Sequence, residues 1–163
     1  MTGQIDSPQF DLARYQDALT IQRVMFGARN IAMVGLSPNE LRASHFVGYY
    51  LKRHGYRVIP VNPRETEILG EKSFASLADV PVPIDIVNVF RAPDALPAIA
   101  EDAVAIGASN LWCQFTVINE EGGRIAEAGG LSVGIEAIDD LIWDLEQGFA
   151  RAAAAAPTEV ASL

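Results

Sequence analysis

The feature that most constrains this chain is a set of short apolar runs separated by stretches of helical periodicity. The runs are Asn30–Gly35, Tyr56–Val61, Ile84–Phe90, Asn110–Gln114 and Leu131–Ile135. Continuous apolar runs of four to eight residues mark strands buried on both faces, the usual state of a parallel sheet. Between them, Asp11–Phe26 places Leu12, Tyr15, Leu19 and Val24 on one helical face, and Ser44–His54 does the same with Phe46, Val47, Tyr50 and Leu51. Gly55 stops that second helix, with Lys52, Arg53 and His54 in its last turn, where the helix dipole favours cations. Pro93–Ile106, a helix capped by Asn119 and ended at Gly129-Gly130, and Ile138 to about Ala156 complete the helical set.

Strands alternating with helices at this spacing imply βαβ units with right-handed crossovers. The expected fold is α/β: a Rossmann-like, doubly wound, mainly parallel five-stranded sheet with helices on both faces. Pro60 cannot donate to a ladder, so its strand is expected at an edge, at a bulge or at its own end. At 163 residues, half of them hydrophobic, the chain suits one domain with its own core. That domain is expected over residues 1–150, with 151–163 as a frayed tail. The single cysteine excludes an internal disulfide and a Cys-rich metal site. No run approaches a membrane span, and the N-terminus lacks a basic-then-apolar leader, so a cytoplasmic protein is expected.

The formal net charge of −9 argues against a nucleic-acid binder, which uses positive charge to displace counterions. The acidity is uneven. Residues 1–29 carry three Arg and three Asp; residues 30–91 carry seven basic and six acidic residues; residues 92–163 carry two basic and twelve acidic residues. The middle of the chain therefore suits an anionic ligand.

In sheets of this class ligands bind beyond the C-terminal ends of the strands. The first such stretch is Gly35-Leu36-Ser37, leading to a helix whose N-terminal N–H groups suit a phosphate, with Ser37 and Ser44 as hydroxyl donors; a plain βα turn is the alternative. A lone glycine does not make the GxGxxG dinucleotide fingerprint. The second stretch, Asn62-Pro63-Arg64, has no acidic residue for a ribose diol. Arg64 there suits a ribose phosphate, as in NADP or the 3′-phosphate of coenzyme A, or simply an exposed position beside Glu65 and Glu67. Phe90 and Arg91 end the third strand as an aromatic and a cation, and Gln114 is a polar tip on the fourth. Cys113 reads as a small buried hydrophobe. His45 and His54 share a helix without a metal partner or paired base, and Asp139-Asp140 reads as a solvated turn. No catalytic constellation and no metal site emerge.

Taken in order, IAMVGLS (from Ile31), S-x-x-V-x-x-Y-L-x-x-H-G-Y-x-V-I-P-V-N-P (Ser44–Pro63), I-L-G-x-K-x-F-x-S-L-x-D-V-P (Ile68–Pro81), N-V-F-R and L-W-x-Q resemble the small bacterial CoA-binding proteins. These are single-domain relatives of the N-terminal domain of the succinyl-CoA synthetase alpha subunit. The resemblance spans about Asn30 to Ile135. It implies coenzyme A or an acyl-CoA as ligand, with Gly35, Leu36 and Ser37 around the diphosphate and Arg42 and Ser44 nearby. Asn62, Pro63 and Arg64 would meet the adenosine end, while Phe90, Arg91 and Gln114 would line the cleft. The chain departs from the family pattern at Phe115-Thr116, where relatives carry Gly, and at Gly134–Asp140, where they carry a Cys-containing segment.

The leading expectation is a non-catalytic CoA-binding module or subunit, with a homo-oligomer or a partner enzyme subunit as its assembly. An NADP-binding enzyme or redox module is the alternative. A third reading is a ligand-free interaction domain built on the acidic last helix and Trp143.

Overall fold

The structure, a computed structural model, describes residues 17–136 apart from 115, and the single positions 15 and 146. Strands β1 (Asn30–Val34), β2 (Arg57–Val61), β5 (Ile86–Val89), β6 (Asn110–Gln114) and β7 (Ser132–Glu136) form one parallel sheet in the order β2-β1-β5-β6-β7. Helices α1 (Ala18–Gly27), α2 (Ala43–Arg53), α3 (Leu96–Ala105) and α4 (Glu120–Ala128) complete the layers. The chain leaves β1 for β2 on one side and later returns to β5 on the other. The order thus reverses between β1 and β5.

Alternate residues of each strand feed two separate cores, as the twofold period of a strand requires. Ile31, Met33, Val58, Ile86 and Trp112 pack under α1 and α2 with Ile21, Met25, Val47 and Leu51. Ala32, Ile59, Val87, Val89, Leu111 and Cys113 pack under α3 and α4 with Ala100, Ala103 and Ala126. Both faces are covered, which is why the strands read as unbroken apolar runs. The expected doubly wound α/β sheet is the one observed.

Pro60 sits on the edge strand. Its carbonyl accepts the Phe74 N–H at 3.0 Å on the outer side, away from β1. A residue's N–H and C=O share one side of a strand, so the donor that proline lacks faces the edge and the β1–β2 ladder loses nothing. Phe74, through its bridge to Val61, also covers that edge.

Several boundaries differ from expectation. Asp17 has extended backbone and accepts the Thr20 N–H as N-cap, so α1 begins at Ala18 and not at Asp11. The third strand begins at Ile86, two residues late, because the Asp85 side chain turns back to the start of β1. A 3-10 turn over Pro93–Ala95 precedes α3. The segment after β2 holds an unforeseen two-residue hairpin, β3 (Glu67–Ile68) with β4 (Glu71–Lys72). Lys52 secures it by donating to the Leu69 carbonyl and pairing with Glu71, each at 2.7 Å. The last helix, Trp143, Asp139-Asp140 and the tail lie outside the described residues. Among the described residues no helix is long and apolar enough to cross a membrane.

At the N-terminal ends of the strands, Asp85 stitches β5 to β1. One carboxylate oxygen accepts the Arg29 and Asn30 N–H groups, both at 2.8 Å. Charge-assisted bonds of this kind contribute about 1.5–3 kcal/mol each. Replacing Asp85 with Ala removes both bonds and is expected to lower unfolding free energy by about 3 kcal/mol. Urea denaturation followed by circular dichroism measures it.

Candidate functional site

The cleft is built where the strand order reverses, the position at which open α/β sheets bind ligands. Val34 ends β1, and Gly35 follows with φ +88°, a left-handed conformation that favours glycine. A Cβ there would lie 2.4 Å from the Phe90 carbonyl oxygen and 2.9 Å from Cδ of Arg91. The turns after β1 and β5 therefore touch backbone to backbone. The Gly35 N–H donates to the Val61 carbonyl and the Phe90 N–H to the Val34 carbonyl, at 3.0 and 2.8 Å, which fixes both turns.

The next residue pair is held from α2. The Ser37 N–H donates to Oγ of Ser44 at 3.1 Å, and the Ser37 carbonyl meets Nδ1 of His45 at 2.9 Å. Ser44 is buried, and its hydroxyl oxygen is thus engaged within the loop. Oγ of Ser37 in turn accepts the Asn39 N–H. Helix α2 starts after Arg42 with no side-chain cap, whereas Asp17 caps α1 and Asn119 caps α4. The His45 N–H already donates to the Arg42 carbonyl at 3.0 Å, so among the described residues the Ala43 and Ser44 N–H groups are the first-turn donors without a hydrogen-bond partner, with the positive end of the helix dipole behind them.

Around this point lies a cleft with a volume of about 400 Å³. Its walls carry Gly35, Ser37, Arg42, Ser44, Phe90, Arg91 and Gln114, all expected from sequence, together with Ala43, Thr116 and Val117. Among the described residues two guanidinium groups and no acidic residue line it, so its field suits an anion. At its floor Gln114 is 4% exposed and donates from Nε2 to Oδ1 of the equally buried Asn88 at 3.1 Å. Among the described residues Oε1 of Gln114 has no hydrogen-bond partner.

Four expected residues stand apart from the cleft walls. The Leu36 side chain is fully buried in the core under α1 and α2, so only its backbone faces the loop. Asn62 uses its whole amide as a brace: Nδ2 donates to the Leu36 carbonyl and Oδ1 accepts the Arg64 N–H, both at 3.0 Å. Pro63 and Arg64 are exposed beyond β2. Thr116 and Val117 lie past the strand's polar tip, where no residue pattern marks a site. The Val117 N–H turns back onto the Gln114 carbonyl at 2.7 Å and brings both residues to the cleft. Phe115 lies outside the described residues.

The remaining candidates are structural. His54 is the C-cap of α2, with Nδ1 at 2.8 Å from the Tyr50 carbonyl and its ring 4.1 Å from that of Tyr50. Burial pushes the Cys113 thiol up to about 12, which removes its nucleophilic form at neutral pH. A second cavity beneath α1, lined by Asp17, Trp112 and Ser132 among others, holds about 40 Å³ and lies at the opposite end of the strands.

Comparisons with known proteins converge on this cleft's fold. The family described as CoA binding domain matches residues 29–137. The Bacillus subtilis (strain 168) protein YneT is 40% identical over 113 residues, covering 69% of this chain and 84% of YneT. A hypothetical protein from Pyrococcus horikoshii OT3 superposes with a TM-score of 0.79 at 29% identity, covering 88% of this chain and 99% of that one. The acetate–CoA ligase (ADP-forming) II of Archaeoglobus fulgidus is 23% identical over 116 residues, which is 70% of this chain but 17% of the ligase.

The raised thiol gives a direct test of the packing beneath the cleft. Cys113 is expected to resist iodoacetamide in native protein at pH 8.5 and to be labelled fully in urea, as read by mass spectrometry. The folded pKa lies above the ordinary thiol value of 9.0, so the unfolded state sheds its proton first. Stability from this group therefore falls as pH rises from 9.0 towards about 12.

Proposed function

The chain belongs to the CoA-binding domain family, and we propose that its cleft takes coenzyme A or an acyl-CoA as a non-catalytic module or subunit. The observation that carries this reading is the uncapped start of α2 in a cleft that holds Arg42 and Arg91 and, among the described residues, no acidic side chain. A diphosphate set there would accept the Ala43 and Ser44 N–H groups, as anions do at helix N-termini. Gly35 lets the backbone approach it, and Ser37 and Ser44 hold the loop in shape. Phe90 offers a face for a flat or apolar group. Arg64, exposed beyond β2, would reach the 3′-phosphate while Asn62 and Pro63 shape the turn beneath it.

The module reading draws on two facts. Among the described residues no group in the cleft has the geometry of an activated nucleophile or paired base, and the match to the acetate–CoA ligase covers a small part of that larger protein. A partner enzyme subunit or a second copy of the chain would supply whatever chemistry follows binding. Such a module would present its acyl-CoA in the cytoplasm.

Isothermal titration with coenzyme A, dephospho-coenzyme A and NADP tests the proposal. Coenzyme A is expected to bind, and dephospho-coenzyme A about tenfold more weakly, the effect of one lost charge-assisted contact. Arg42→Ala and Arg91→Ala are each expected to weaken coenzyme A by about tenfold and to reduce the salt dependence of binding. No binding of coenzyme A or several acyl-CoAs at millimolar concentration would overturn the reading. NADP outcompeting coenzyme A would replace it with a dinucleotide site in which Arg64 meets the 2′-phosphate.

A further inference from the structure

We infer that Oε1 of Gln114 is the acceptor for an amide N–H on the pantetheine arm of the ligand, which makes the buried Gln114–Asn88 pair a specificity element of the cleft. The inference rests on the coenzyme A reading above and adds to it which part of the ligand the far wall recognises.

Gln114 and Asn88 are 4% and 3% exposed, and both sit on strands with their side chains towards the α1–α2 side. Nε2 of Gln114 donates to Oδ1 of Asn88, so the carboxamide turns its oxygen to the other side. Among the described residues that oxygen has no donor. An unpaired buried acceptor is costly, so a donor brought by a ligand would recover free energy at this atom. Among the described residues two other buried polar atoms lack partners, Oη of Tyr50 and Nε1 of Trp112, and neither residue lines the cleft, whereas Gln114 does.

The sign of the atom restricts the partner. A phosphate, a carbonyl or a thioester oxygen brings only acceptors and would leave Oε1 unpaired. The pantetheine arm carries secondary amides, each with one N–H. Their position fits as well. Gln114 ends β6, which is separated from β1 by β5 alone. Two strand spacings amount to roughly 10 Å. With the diphosphate at the start of α2, beside the end of β1, an extended arm crossing the ends of β5 and β6 brings its amides to Gln114. The turn that returns the Val117 N–H to the Gln114 carbonyl holds the strand end still beneath it.

The test compares coenzyme A with adenosine 3′,5′-bisphosphate, a fragment that lacks the arm, by titration calorimetry on the full chain. Gln114→Leu and Gln114→Met are expected to weaken coenzyme A by about tenfold or more and to leave the bisphosphate within about twofold. Melting curves confirm that each variant folds. A second measurement needs no variant: a coenzyme A analogue methylated at its amide nitrogens is expected to bind the wild type about tenfold more weakly than coenzyme A. Equal losses for both ligands, or no loss with either, in variants that melt like the wild type would overturn the inference and leave coenzyme A binding intact. An undiminished affinity for the methylated analogue would do the same. A wild type that binds no coenzyme A would overturn both readings.

Discussion

The contact on which the site depends is the approach of Gly35 to the carbonyl of Phe90. Two turns leave the sheet in opposite directions at this point, one towards β2 and one towards α3. They do so from strands that lie side by side. The space a Cβ would occupy is already filled by the neighbouring backbone, 2.4 Å away. Any side chain at 35 must push the two strand ends apart or twist the turn out of its left-handed conformation. The cleft's width, the aim of α2 and the position of Arg91 would all shift with it. A single residue without a side chain thus sets the geometry that longer glycine motifs set elsewhere.

Around that contact the electrostatics are local. The chain as a whole is strongly acidic, yet the cleft is walled by Arg42 and Arg91 and by the open end of a helix dipole. Fields of this kind act over about a Debye length, roughly 8 Å at physiological ionic strength, so distant carboxylates are largely screened. A negative total charge is therefore compatible with a site for a polyphosphate. The omission of a cap on α2 follows the same logic. Asp17 and Asn119 each bond one first-turn N–H, in α1 and α4, while α3, preceded by a 3-10 turn, also starts without a side-chain cap; a carboxylate cap on α2 would compete with a phosphate for the same N–H groups.

The sheet was legible because both of its faces are covered, which turns each strand into an unbroken apolar run. Pro60 was legible as an edge residue for the same steric reason that its carbonyl, and not its nitrogen, finds a partner in Phe74. The β3–β4 hairpin was not, since strands of two residues carry no periodicity and this pair is held by Lys52 from a distant helix. In the site, glycine, serine and the strand-end cations could be read from the rule that ligands gather at strand ends. That rule does not distinguish a side chain that faces the ligand from one that braces the loop. Leu36 and Asn62 fall in the second class: one is core, and the other spends its amide on neighbouring backbone. Thr116 and Val117 reach the cleft only through a tight turn whose sequence, Gln-Phe-Thr-Val, contains neither Gly nor Pro to announce it.

Buried amides within an apolar sheet are hard to justify on stability alone. Asn88 and Gln114 occupy positions where their strand neighbours are valine, tryptophan and cysteine, and a pair of well-packed aliphatic side chains would remove the need for any hydrogen bond. The single bond between them satisfies one donor and leaves Oε1 of Gln114 unpaired. A half-satisfied polar pair is worse for the fold than an apolar one. The inferred role resolves the conflict, because Gln114 is at the cleft wall and its bond to Asn88 leaves Oε1 as the end of the amide that a ligand would meet. Local instability at a strand end is tolerable when two large cores lie on either side of the sheet, and the deficit becomes binding free energy once a donor arrives.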